Sequence, residues 1–61
     1  MDEEFLKKFV GKRICVYTVG DSDGWRNVLV GGISGGILSG MIGETLNIFI
    51  ECDMIVAVSE E

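Results

Sequence analysis

The sequence predicts a mainly β fold, a small oligomeric barrel of about five antiparallel strands carrying a short N-terminal helix. Three observations lead there. Apolar and β-branched residues come in short runs separated by Gly, Asn and Asp, the spacing of a meander or small barrel. The chain has 61 residues, room for one domain spanning positions 1–61. A chain this short buries only about 60% of the surface that its unfolded form exposes, so association is expected to supplement its core. The last 35 residues contain no Lys, Arg or Pro, the residues that keep strand edges from pairing with other chains.

In chain order, Asp2 can cap a short helix over residues 1–11, with Glu3 and Glu4 in the first turn where the helix dipole favours acids. Phe5, Leu6, Phe9 and Val10 recur at helical spacing, and Gly11 ends the helix. Two turns do not persist alone, so the Phe5/Phe9 face is expected to lie on the domain as a lid. Arg13 to Val19 reads as a strand with apolar groups on both sides, hence covered on both. Gly20-Asp21-Ser22-Asp23-Gly24 ends it as a turn, leaving Trp25-Arg26-Asn27 as a loop. Val28 to Ile33, Ile37 to Ile42, Thr45 to Glu51 and Met54 to Val58 complete the strands, all within residues 13–58.

Six glycines crowd the segment Gly31 to Gly43. As a strand, alternation places Gly32, Ser34, Gly36 and Gly40 on one bare side, open to a ligand or a partner backbone. As a helix, Gly32, Gly36 and Gly40 would form the small-xxx-small steps of a membrane peptide. Glycine this dense weakens an isolated helix, which makes that the lesser reading. Glycines that bend a strand round a small barrel are the simplest account.

Several chemistries are excluded by residue type. Cys15 and Cys52 without any His do not make a structural zinc site, and no metal or other cofactor is expected. An acidic start, Met1-Asp2-Glu3-Glu4, where a secretory signal would be basic, predicts cytoplasmic residence. The two cysteines are then free thiols acting as small buried hydrophobes. Asp21-Ser22-Asp23-Gly24 lacks the EF-hand spacing, and no Walker or dinucleotide fingerprint is present. Without His there is no Ser-His or Cys-His pair, so no enzyme is expected.

Charge divides the chain. Residues 1–26 hold five cations and five acids, whereas residues 27–61 hold five acids alone, giving the net charge of −5. In an oligomer, Lys7, Lys8, Lys12, Arg13 and Arg26 from several copies could converge into a basic pocket for a small anionic ligand. Long nucleic acid needs a broader positive footprint and is not an expected partner. Trp25 beside Arg26 could stack on a base while the guanidinium meets a phosphate, or could instead close one end of the barrel.

Gly11-Lys12-Arg13-Ile14-Cys15-Val16 after a short helix, the central Gly36-Ile37-Leu38, Thr45-Leu46-Asn47-Ile48 and the closing Asp53-Met54-Ile55-Val56-Ala57-Val58 cover most of the chain. In these segments the sequence resembles the small SH3-like and Sm-like β-barrels, including short proteins of Firmicutes and their phages. The resemblance implies rings formed through terminal strands. It does not extend to the RNA pocket. Met41-Ile42-Gly43-Glu44 stands where Asp and Asn are expected, and the chain closes on Ser59-Glu60-Glu61 rather than on a basic residue and glycine. The expected function is thus a non-enzymatic oligomeric binding module. Its most specific form is a phage-type protein sequestering a small anionic nucleotide signal, resembling anti-defence sponge proteins. There Trp25 stacks, Arg26, Arg13 and Lys12 meet phosphate, and the Gly35 and Gly36 backbone donates N–H groups. A protein-interaction or structural module is the alternative.

Overall fold

The structure, a computed structural model, describes residues 1–20 and 23–60. Helix α1 (Glu3–Leu6) runs into a 3-10 turn, and strands β1 (Arg13–Thr18), β2 (Trp25–Ser34), β3 (Ile37–Ile42), β4 (Leu46–Glu51) and β5 (Ile55–Glu60) follow. A second 3-10 turn, Cys52–Met54, joins β4 to β5. Neighbouring strands are antiparallel and form one sheet in the order β4-β3-β2-β1-β5, with β4 and β5 at its two ends.

The helix starts where the sequence places it, since the Asp2 carboxylate accepts the Glu4 backbone N–H at 3.2 Å. It is nevertheless more than a lid. Leu6 is fully buried and belongs to the core, whereas Phe5 is exposed and meets Phe9 edge to face, 5.5 Å between ring centroids. The chain tightens to 3-10 geometry at Lys7, and three residues per turn bring Leu6 and Phe9 onto one side, leaving Phe5 off it. The exit from this turn is pinned to β2, where the Gly11 N–H donates to the Val30 carbonyl and the Val30 N–H donates to that of Lys12.

One face of the sheet carries the core: Ile14 and Val16 of β1, Val28 and Val30 of β2, Leu38 of β3, Ile48 and Ile50 of β4, and Ile55 at the start of β5. The two-residue period of a strand produces this alternation. Cys15 lies between Ile14 and Val16 and is also buried, so β1 is covered on both sides there, but farther along that second side Tyr17 is only half-buried and Val19 is exposed.

Three irregularities bend the sheet. Between Ile14 and Val16, β1 has one residue where β2 has two, and Asn27 takes up the excess at φ 57°, a left-handed conformation that Asn tolerates. Trp25, Arg26 and Asn27 are therefore part of β2, not a loop. Gly31 is the extra residue between Val30 and Gly32, and Val56 is the extra residue of β5 opposite Tyr17 and Thr18.

The glycine-rich segment is a β-hairpin, which removes the membrane-helix reading of residues 28–43, and among the described residues no helix is long and apolar enough to cross a membrane. Gly35 and Gly36, at φ 59° and 76°, form the two-residue turn between β2 and β3, a geometry that suits strand twist and requires positive φ at both positions. The expectation of one bare glycine side fails. Gly32 pairs with Ser39, so Gly40, the next residue of β3, faces the opposite side, against Val28 in the core.

Strand ends differ from the sequence reading by one to three residues. Val19 lies beyond β1, Thr45 precedes β4, Met54 belongs to the 3-10 turn, and β5 continues to Glu60. In the turn expected at Gly20 to Gly24, Asp21 and Ser22 lie outside the described residues, as does the terminal Glu61.

Candidate functional site

The cations of the N-terminal segment are engaged locally. Lys7 Nζ donates to the Glu4 carboxylate at 3.1 Å, which holds its ammonium above the ordinary value, and Lys8 lies over the Phe5 ring at 5.6 Å. Lys12 pairs with Glu60 of β5 at 3.1 Å, and Arg13 donates to the Asn27 side chain at 3.3 Å. Arg13 and Arg26 are exposed at the beginnings of β1 and β2.

Trp25 is opposite Val16, and directly opposed residues share a face, so the Trp belongs to the mouth of the core side, where it stays 36% exposed. Arg13 is opposite Leu29 on the outer side. Gly35 and Gly36 stand at the far end of the ten-residue β2. Within one chain, the sequence-derived set Trp25, Arg26, Arg13, Lys12, Gly35 and Gly36 therefore falls into two separate groups. The Gly36 N–H, cast as a donor to an anion, donates to the Glu3 carboxylate at 3.3 Å. This contact belongs to a knot around the β2–β3 turn. The Gly36 carbonyl accepts the Cys52 N–H, and the α-amino group of Met1 donates to the Cys52 and Ile55 carbonyls at 2.7 and 3.1 Å.

The outer face of β2, β3 and β4 holds a feature the sequence reading missed. Leu29, Met41 and Asn47 form one row across the three strands, and Ser39 is opposite Phe49 in an adjacent row. Together with the backbone at Gly31 they line an open, mainly apolar groove of about 440 Å³, within the size range of ligand sites. Phe49 is its wall on the β4 side and is 72% exposed. The available signal was that Ile48-Phe49-Ile50 is apolar at both parities, which leaves one large side chain pointing away from the core.

Two further groups respond to their surroundings. Burial pushes the Cys52 thiol up, with the Glu3 carboxylate acting in the same direction. Interaction with Cys15 raises the Tyr17 phenol, while Ser59 and Arg26 oppose the shift. Both cysteines are free, and among the described residues no three Cys, Asp or Glu side chains converge as a metal ion would require. Comparison with models of known families, with characterised proteins and with solved structures gives no match for this chain.

Proposed function

We propose that this chain is a non-enzymatic, self-associating binding module, a curled five-stranded sheet of the SH3-like/Sm-like kind. The observation that carries this reading is the open sheet. Its end strands, β4 and β5, contain no Lys, Arg or Pro, and the apolar groove lies directly beside β4. An exposed apolar surface flanked by pairing-competent edges is what an interaction module needs, and the groove supports a protein partner.

The more specific form is cytoplasmic capture of a small anionic nucleotide, as by a phage-type sponge protein. It is supported by Arg13 and Arg26 on either side of the Asn27 bulge; Trp25 follows on the core side, and several copies are needed to bring a stacking ring and the Gly35–Gly36 turn to the same site. Titration calorimetry against cyclic and ADP-ribose-type nucleotides tests it. The expected result is heat with the wild type and at least roughly tenfold weaker binding by Arg26→Ala, the loss of a charge-assisted contact. No heat across the panel overturns the nucleotide form. The protein-partner form then predicts one stoichiometric protein retained from a host lysate by the wild type and lost with Met41→Glu.

A further inference from the structure

We infer that the occupant of the open β4 edge is a second copy of this chain, joined β4 to β4 about a two-fold axis with Phe49 at its centre. This rests on the self-association reading above and specifies the edge, the symmetry and the register.

The two ends of the sheet are not equivalent. The β5 ladder is broken by the Val56 bulge, and its last residue, Glu60, is held by Lys12. Bulges and charges of this kind blunt an edge. By contrast, β4 pairs with β3 through six consecutive residues without a break, from Ile37 opposite Glu51 to Ile42 opposite Leu46. Its only charge is Glu51 at one end. A regular, nearly uncharged edge is a template for another strand.

A strand that pairs with its own copy across a two-fold axis is necessarily antiparallel, and an axis normal to the sheet keeps core face beside core face. Each residue then opposes one of the same parity. Centring on Ile50 would set Phe49 against a carboxylate, that of Glu51, and centring on Ile48 would set it against Asn47. Centring on Phe49 opposes the two aromatic rings on the outer face and Ile48 with Ile50 on the core face. It also gives Glu51 the Asn47 amide of the partner as its cross-strand neighbour, and it holds the two Glu51 carboxylates at opposite ends of the seam. This register combines an aromatic pair, an aliphatic pair and an amide-to-carboxylate pair with no like charges opposed. It also brings the two grooves together, since Phe49 is a wall of each.

Light scattering and cysteine cross-linking test the seam. Wild type is expected at about two chain masses, and Phe49→Lys, which replaces an exposed side chain and opposes two ammonium groups, at one chain mass with unchanged circular dichroism. Under diamide, Phe49→Cys is expected to form a disulfide-linked dimer about tenfold faster than Val56→Cys on β5, because pairing raises the local thiol concentration. Cys15 and Cys52 are buried, which leaves the introduced thiol as the reactive one. If Phe49→Cys does not cross-link while wild type still associates, or if Val56→Cys links as fast, the β4 seam is wrong and self-association stands. A wild type at one chain mass at every concentration overturns both.

Discussion

Gly40 shows most directly how one residue sets local geometry. A Cβ there would stand 2.9 Å from the Leu29 carbonyl oxygen and 2.9 Å from a Val28 methyl, and neither the backbone nor the core can yield cheaply. Gly40→Ala is expected to cost about 1–3 kcal/mol in urea denaturation, the usual range for overpacking. At Gly32 the nearest atom would be 3.9 Å away, so Gly32→Ala should change stability by no more than about 0.5 kcal/mol. Cys52 gives a pH dependence. Its folded-state pKa is raised above 9.0, so the native state favours the neutral thiol. Its contribution is complete below that value and is lost as pH rises from 9.0 through the raised value. Tyr17 acts with the same sign from 10.0 upward. Stability measured against pH should therefore fall on the alkaline side, and Cys52→Ala should flatten the first part of that fall.

At the level of elements, α1 and the hairpins were legible to different degrees. Strand β3 was read from Ile37 to Ile42 without error because Gly35-Gly36 and Gly43 punctuate it on both sides. The start of β2 was missed because Trp25-Arg26-Asn27 follows a turn and has no alternation. It is strand only because β1 lies beside it and a bulge absorbs the mismatch. The helix was located correctly but misjudged in role, since helical periodicity does not foresee the change to 3-10 geometry that turns Leu6 inward. Leu6→Ala should accordingly cost about 2–5 kcal/mol, the range for a buried leucine, whereas Phe5→Ala should cost much less. Comparing the two denaturation midpoints decides whether α1 belongs to the core or merely covers it. The groove escaped the sequence reading because it is made by three strands in register, and register depends on the Gly31 bulge.

On the scale of the whole molecule, the charge gradient and the sheet order have to be taken together. The N-terminal half contributes all the cations, and two of them pair with acids: Lys7 with Glu4 and Lys12 with Glu60. These exposed pairs contribute little stability, so the basic character of residues 1–26 is locally muted. The self-association proposed above would then rest on strand pairing and apolar contact rather than on attraction between opposite halves. The thermal midpoint should rise with protein concentration, as mass action requires for a folded oligomer in equilibrium with unfolded chains. Added salt should strengthen association by screening the net charge of −5. A midpoint independent of concentration over two decades would contradict association of the folded state.

The β1–β5 ladder also bears on how the chain reaches this state. Its pairs join residues from 37 positions apart, Thr18 with Ile55, to 46 apart, Ile14 with Glu60, whereas β2, β3 and β4 pair with near neighbours in sequence. Closing the long loop costs more chain entropy than zipping the hairpins. During synthesis, β1 can pair with β2 long before β5 exists, leaving its other edge open until β5 has left the ribosome. The nascent chain thus passes through a stage in which an apolar inner strand is a temporary rim, and the later arrival of β5 ends that exposure.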